Sequence, residues 1–142
     1  SDSFRLTLPL QSKLNQFINQ YNISETIGVH IRRTDNSVAI QKSPLILFHQ
    51  AIEKEINENK TLKFFLASDD DEVIKEFQQK YPSKIITFAQ NKRRTEQQGI
   101  EDAILELFML SKTKKIYGTY WSSFSEMAIQ LNKNTESKLL IK

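Results

Sequence analysis

Apolar residues recur at helical spacing from Leu10 through Leu14, Phe17, Ile18 and Tyr21, and the pattern then changes. Thr26 to Arg32 reads as a strand. Ser43-Pro44 has the form of a cap followed by proline at the first helical position, and behind it Leu45, Phe48, Ile52 and Ile56 mark one helix face. Leu62 to Ser68 is a short apolar strand. Val73, Ile74, Phe77 and Tyr81 give a helix that Pro82 stops, and Lys84 to Phe88 gives a third strand. Ile100, Ala103, Ile104, Leu107 and Phe108 mark the longest amphipathic helix. A strand at Lys115 to Gly118, a short helix through Phe124, Met127, Ala128 and Leu131, and a fifth strand in "KLLI" complete the order. Strands separated by helices of this length imply parallel pairing through crossovers. The expected fold is α/β: a doubly wound, mostly parallel, Rossmann-like sheet of about five strands with helices on both faces. The first helix is expected to pack over that sheet.

In open parallel sheets ligands bind beyond the carboxyl ends of the strands, and the chemistry-bearing residues of this chain fall there repeatedly. Arg32, Arg33, Asp35 and Asn36 follow the first strand, and Asp69, Asp70 and Asp71 follow the second. The loop "AQNKRRTEQQG" follows the third, and "TYWSSFS" follows the fourth. Strand alternation puts Ile27, Val29 and Ile31 on one face and Gly28, His30 and Arg32 on the other. Gly28 leaves room on the second face. Arg32 ends the strand with a guanidinium fork suited to an oxyanion pair, although a salt bridge to Asp35 or another aspartate is the plain structural reading. Arg33 is the ambiguous member of the pair, a ligand contact or a brace for the loop.

Ser123 and Glu126 have capping-box spacing, so a helix is expected to begin there. Its free N–H groups together with Ser122, Ser123 and Ser125 would suit a phosphate; an ordinary N-cap accounts for one of the serines. Asp102 and Glu106, four apart, share a helix face. A carboxylate there can accept both N–H groups of a guanine edge, or simply be solvated. Asp69-x-Asp71 invites a metal, but Asp70 or Asp71 is more simply the cap of the next helix. Asp69, at the strand tip, suits a ribose contact or the ordering of the loop that carries Arg32. His49 lies beside an apolar stripe and reads as structural.

Composition narrows the classes. The 142 residues suit one domain with a core. With 39% hydrophobic and 26% charged residues, the chain is globular rather than disordered. The absence of cysteine excludes disulfides, thiolate metal sites and a cysteine nucleophile, and fits a reducing, cytoplasmic location. Nothing reads as a membrane span or signal peptide. Asn22-Ile-Ser and Asn59-Lys-Thr match the glycosylation pattern, one too short to carry weight alone. A net charge of +3, with lysines scattered among glutamates, lacks the dense basic face of a nucleic-acid binder. Three glycines and no glycine-rich phosphate motif argue against a nicotinamide enzyme or a nucleoside triphosphatase.

Three segments carry a family resemblance. "HIRRTD" resembles the His-x-Arg-Arg-x-Asp motif of the superfamily of α1,6- and α1,2-fucosyltransferases and protein O-fucosyltransferases. "FFLASDD" resembles its second motif, a strand ending in Ser/Thr-Asp-Asp. "EDAILELFMLSKTKKIYGTYWSSFSEMA" resembles the third. The set occurs in order over residues 27 to 128. The resemblance implies the C-terminal donor-binding domain of a two-domain GT-B glycosyltransferase that binds GDP-fucose and inverts the anomeric centre without a metal or other cofactor. It implies that Arg32 holds the β-phosphate and the leaving diphosphate. His30 would lie against the nucleoside, Glu106 would read guanine, and Ser122, Ser123, Phe124 and Ser125 would form the phosphate-binding helix start. Asp35 would face the acceptor and is the candidate general base. Trp121 and Phe124 depart from some members. Residues 1–142 would then be a single donor domain lacking an N-terminal domain for the glycan acceptor, since two domains need about twice this length. The alternative reading is a non-catalytic α/β binding module without nucleotide-sugar activity.

Overall fold

A computed structural model describes residues 6–33, 37–88, 95–120, 122–132 and 136–140. Helix α1 (Leu8–Tyr21) leads through a short 3₁₀ turn into β1 (Ile27–Ile31). There follow α2 (Ser37–Lys42), α3 (Leu45–Glu58), β2 (Phe64–Ser68), α4 (Asp71–Lys80) and β3 (Ile85–Ile86). The chain continues through α5 (Glu96–Ser111), β4 (Ile116–Thr119) and α6 (Ser123–Leu131) to β5 (Lys138–Leu140). All strand pairs are parallel, in the order β3-β2-β1-β4-β5. The expected fold is therefore the observed one. The direction of travel across the sheet reverses after β3, so α3 and α4 lie on one face and α5 and α6 on the other.

Alternation divides the core into two layers. Ile27, Val29 and Ile31 of β1 join Phe64 and Leu66 of β2 under Phe48 and Ile52 of α3 and Val73 and Phe77 of α4. Phe65 and Ala67 point the other way, into Leu14 of α1, Leu105 and Met109 of α5 and Ala128 of α6. Phe17 of α1 meets Phe65 and Phe88 edge-on, at 6.1 and 5.5 Å between centroids, so the first helix packs over the sheet as expected. The room beside Gly28 is filled by the second layer. A Cβ there would lie 2.6 Å from Thr113 Oγ1 and 2.8 Å from Leu110 Cδ1, so glycine lets α5 settle onto β1.

Several local expectations need correction. Ser43 does not cap α3; Pro44 is the N-cap and no side chain bonds the first turn. The short helix α2 lacks the apolar periodicity that would have announced it. The third strand shrinks to Ile85–Ile86, which pair with Phe64 and Phe65 at the edge of the sheet. The loop after it ends earlier than Gly99, since Thr95 and Gln98 form a reciprocal capping box that starts α5 at Glu96. Asp70 does cap α4, accepting from the Glu72 N–H at 2.9 Å.

His49 is structural, as expected. Nδ1 meets the Tyr81 hydroxyl and Nε2 meets Glu76, both at 2.7 Å, and the ring stacks on Phe77 at 4.2 Å. The turn after Tyr81 stores some strain. The Lys84 N–H bonds the Tyr81 carbonyl at 3.1 Å, with Pro82 inside the turn and Ser83 at φ 66°. A side chain at this position of a type II turn favours glycine or asparagine. Ser83→Gly is expected to stabilise the chain by about 0.5–1 kcal/mol, read as a higher urea midpoint at unchanged m-value.

Candidate functional site

The two central strands part at their carboxyl ends. β1 pairs with β2 from Ile27 to Ile31 but with β4 only at Gly28 and Val29. Beyond that point the His30 carbonyl and the Arg32 N–H have no ladder partner on the β4 side, and a buried polar backbone group without a partner is costly. Thr119 supplies both bonds with one hydroxyl. It donates to the His30 carbonyl at 2.8 Å and accepts from the Arg32 N–H at 3.0 Å. Thr119 is fully buried. It did not stand out in the sequence, because its partners lie almost ninety residues away. The available clue was a hydroxyl at the last position of a strand beside the sheet's switch point.

The start of α6 is held against this seam. Ser125 Oγ accepts from the Thr119 N–H at 2.9 Å and bonds His30 Nδ1. Gly118 permits the approach, since a Cβ there would lie 2.8 Å from Ser125 Cβ. Ser122, not Ser123, is the N-cap, accepting from the Ser125 N–H at 3.4 Å, while Ser123 is exposed. The expected Ser123–Glu126 cap is thus displaced by one residue, because a run of serines offers several near-equivalent caps and tertiary packing chooses among them. Phe124 lies against the His30 ring, 4.6 Å between centroids. The structure therefore brings together His30, Ser122, Phe124, Ser125 and the base of Arg32.

Ser125 Oγ, with one proton and two lone pairs, can accept from the Thr119 N–H and still share a hydrogen bond with His30 Nδ1. Burial lowers the His30 pKa to about 4; Asp69 works against this and Arg32 adds to it. The imidazole is neutral at physiological pH, a hydrogen-bonding and stacking group rather than a cation. An unfolded histidine, with a pKa near 6.5, binds a proton in this window while the folded one does not, so acid favours unfolding. The stability His30 contributes is complete above about pH 6.5 and declines as pH falls toward about 4. Between pH 6.5 and 5 the loss should reach about 2 kcal/mol. Urea midpoints across that range should fall for the natural chain and fall much less for His30→Gln.

The two arginines separate. Among the described residues nothing holds the Arg32 guanidinium, and its Cα sits at the rim. The Arg33 guanidinium is used internally, donating through Nη2 to the Ser43 carbonyl at 2.8 Å and through Nη1 to the Ile40 carbonyl at 3.4 Å. Its Nε is buried without a partner among the described residues. The Arg33 N–H donates to Asp69 Oδ1 at 2.9 Å, so Asp69 orders the arginine loop. Ser68 reinforces this, its hydroxyl donating to the Ile31 carbonyl at 2.7 Å. Asp35, Trp121, Arg93 and Arg94 lie outside the described residues.

Glu106 and Asp102 lie one and two turns before Leu110 on α5, a helix that packs on β1. Both are half-buried. A separate cavity of about 650 Å³ opens at the opposite edge, lined by Asn22, Thr61, Lys63, Ser83 and Lys114 among others. It lies at the amino ends of the strands, away from the switch point. No helix among the described residues is long and apolar enough to cross a membrane.

Comparison with known proteins agrees with this layout. The model of α-(1,6)-fucosyltransferase N- and catalytic domains matches residues 4–138. The fold is similar to that of NodZ α-1,6-fucosyltransferase soaked with GDP-fucose, with a TM-score of 0.64 at 19% identity, over 90% of this chain and 43% of that one. NodZ from Bradyrhizobium gives 0.64 at 17% identity, over 90% and 43%. POFUT1 in complex with GDP gives 0.64 at 14% identity, over 96% and 47%. The chain thus spans a little under half the length of these proteins. No curated protein sequence matches it. A doubly wound sheet, matched almost end to end by one family model, places this chain in the α-(1,6)-fucosyltransferase family.

Proposed function

We propose that this chain is the donor-binding domain of a fucosyltransferase and that it binds GDP-fucose at the rim between β1 and β4. The observation that carries the proposal is the seam built by Thr119 and Ser125, which sets Arg32 beside the start of α6. A guanidinium and helix-end N–H groups converging on one crevice suit a diphosphate. His30 and Phe124 offer the nucleoside a neutral, partly aromatic wall, and Glu106 or Asp102 offers guanine a carboxylate.

In the proposed reaction the acceptor oxygen bonds to the anomeric carbon from the face opposite the diphosphate. The bond from that carbon to the phosphate oxygen breaks, and GDP departs with the electron pair. The acceptor proton passes to a base, for which Asp35 is the candidate. Negative charge grows on the diphosphate as the bond breaks, and Arg32 with the α6 N–H groups stabilises it where it develops. We propose transfer without a metal, with the fixed cation supplying the charge stabilisation. Arg33 braces the loop rather than meeting the donor, and Asp69 holds that loop.

The solved relatives are about twice as long, and we assign the glycan acceptor to the part of such proteins outside the matched region. The domain alone is expected to turn over little donor. Thermal-shift titration with GDP, UDP, ADP and TDP tests the proposal. GDP is expected to raise the melting temperature most. No shift with any of the four would point to the non-catalytic binding module instead.

A further inference from the structure

Ser43 was expected to cap a helix and caps none. Its side chain is nevertheless completely buried. The hydroxyl accepts from the Tyr120 N–H at 2.9 Å and donates to the Leu140 carbonyl, joining the exit of β4 to the end of β5. The Ser43 carbonyl, unused by any cap, accepts from Arg33 at 2.8 Å. Arg33 is in turn tied through its backbone to Asp69 at the tip of β2. One serine between α2 and α3 thus gathers the ends of β1, β4 and β5, and through Arg33 that of β2.

Tyr120 stands two residues before Ser122, the N-cap of α6. The Thr119 N–H on one side of this short turn is held by Ser125, and the Tyr120 N–H is held by Ser43. Two successive backbone donors are therefore fixed by hydroxyls from different parts of the chain. Such over-determination sets the height at which α6 begins relative to Arg32. Diphosphate binding depends on that height, because donors displaced by an ångström lose most of their catalytic and binding value.

We propose that Ser43 is a positioning residue of the nucleotide site, its buried hydroxyl holding the β4–α6 turn so that the start of α6 and Arg32 meet a diphosphate together. This rests on the donor-site reading above. Ser43 itself need not touch the nucleotide.

Ser137 supplies a matched control. Its hydroxyl also accepts a β4 backbone N–H, that of Ile116 at 2.8 Å, but at the far end of the strand. GDP and guanosine are titrated calorimetrically into the natural chain, Ser43→Ala and Ser137→Ala, with urea melts to show that each is folded. Ser43→Ala is expected to weaken GDP about tenfold, the worth of about one hydrogen bond, and to leave guanosine unchanged. Ser137→Ala should lose stability yet keep both affinities. If Ser43→Ala keeps the natural ratio of GDP to guanosine affinity, Ser43 is only structural and the donor site stands without it. If the natural chain binds no GDP, the donor-site reading fails and this inference falls with it.

Discussion

Arg32→Ala should lower the affinity of the domain for GDP by a hundredfold or more, about 3 kcal/mol, and leave guanosine binding almost unchanged. Among the described residues, the guanidinium of Arg32 is the strong cation that the seam between β1 and β4 delivers to the proposed diphosphate site. Paired, charge-assisted bonds to phosphate oxygens are the strongest polar contacts such a site can make. The fold should tolerate the change. The bond that fixes the residue runs from its backbone N–H to Thr119 Oγ1, which alanine retains. Arg32→Lys should recover only part of the loss, since a lysine restores the charge but not the two-pronged geometry. Calorimetric titration of GDP and guanosine into all three proteins reads both effects. Equal loss for both ligands would mean damage to the fold, and no loss would remove Arg32 from the site.

Glu55→Ala should destabilise the chain by about 3 kcal/mol, through a cluster on the opposite layer of the sheet. Glu55 lies on α3 and is buried. Its Oε2 accepts from the Tyr117 hydroxyl at 2.5 Å and meets Lys115 Nζ at 2.6 Å. Burial alone would raise its pKa, but the bonds from Lys115 and Tyr117 outweigh that and hold it below the ordinary carboxylate range. Burial, then Glu55, pushes the Tyr117 phenol up to about 12, so it remains a donor. Removing the carboxylate strands a mostly buried ammonium and a buried hydroxyl, a type of loss worth 3–5 kcal/mol in closed sites. Lys115 keeps a side chain 19% exposed, which sets the lower end of that range. At this chain length the melting temperature should fall by roughly 10 °C. Glu55→Gln, which can still accept from Tyr117, should cost less. Because the folded carboxylate has the lower pKa, its contribution is present above the unfolded value and is lost as pH falls through the folded one. Acid should therefore narrow the gap between Glu55→Ala and the natural chain.

What could be read in the sequence was whatever depends on neighbours a few residues away. Alternation along β1 put Ile27, Val29 and Ile31 on one face and Gly28 and His30 on the other, and that is where they lie. The apolar periods of α1, α3, α4 and α5 and the cap at Asp70 are also local, and so were legible. Thr119 and Ser43 were not, because each acts through backbone groups some eighty to a hundred residues distant. Ser43-Pro44 has the local chemistry of a helix cap, yet tertiary structure offers its hydroxyl two backbone partners and the cap is forgone. The serines before α6 show a milder form of this. Three neighbouring hydroxyls offer similar caps, and the contact of Ser125 with His30 and Thr119 selects Ser122. Arg33 is the informative case for the site. Its position beside Arg32 left it open as a ligand contact or a brace, and its guanidinium donates to the carbonyls of Ile40 and Ser43.

The proposed function requires a guanine nucleotide to bind at the carboxyl rim between β1 and β4. Titrating GDP into ¹⁵N-labelled protein and following the backbone amides tests it most directly. The largest shifts are expected on His30, Arg32, Thr119 and Ser122 to Ser125, and UDP at the same concentration should move them far less. Shifts confined to Asn22, Thr61, Lys63 and Lys114, around the cavity at the opposite edge of the sheet, would contradict it, as would a spectrum that GDP leaves unchanged.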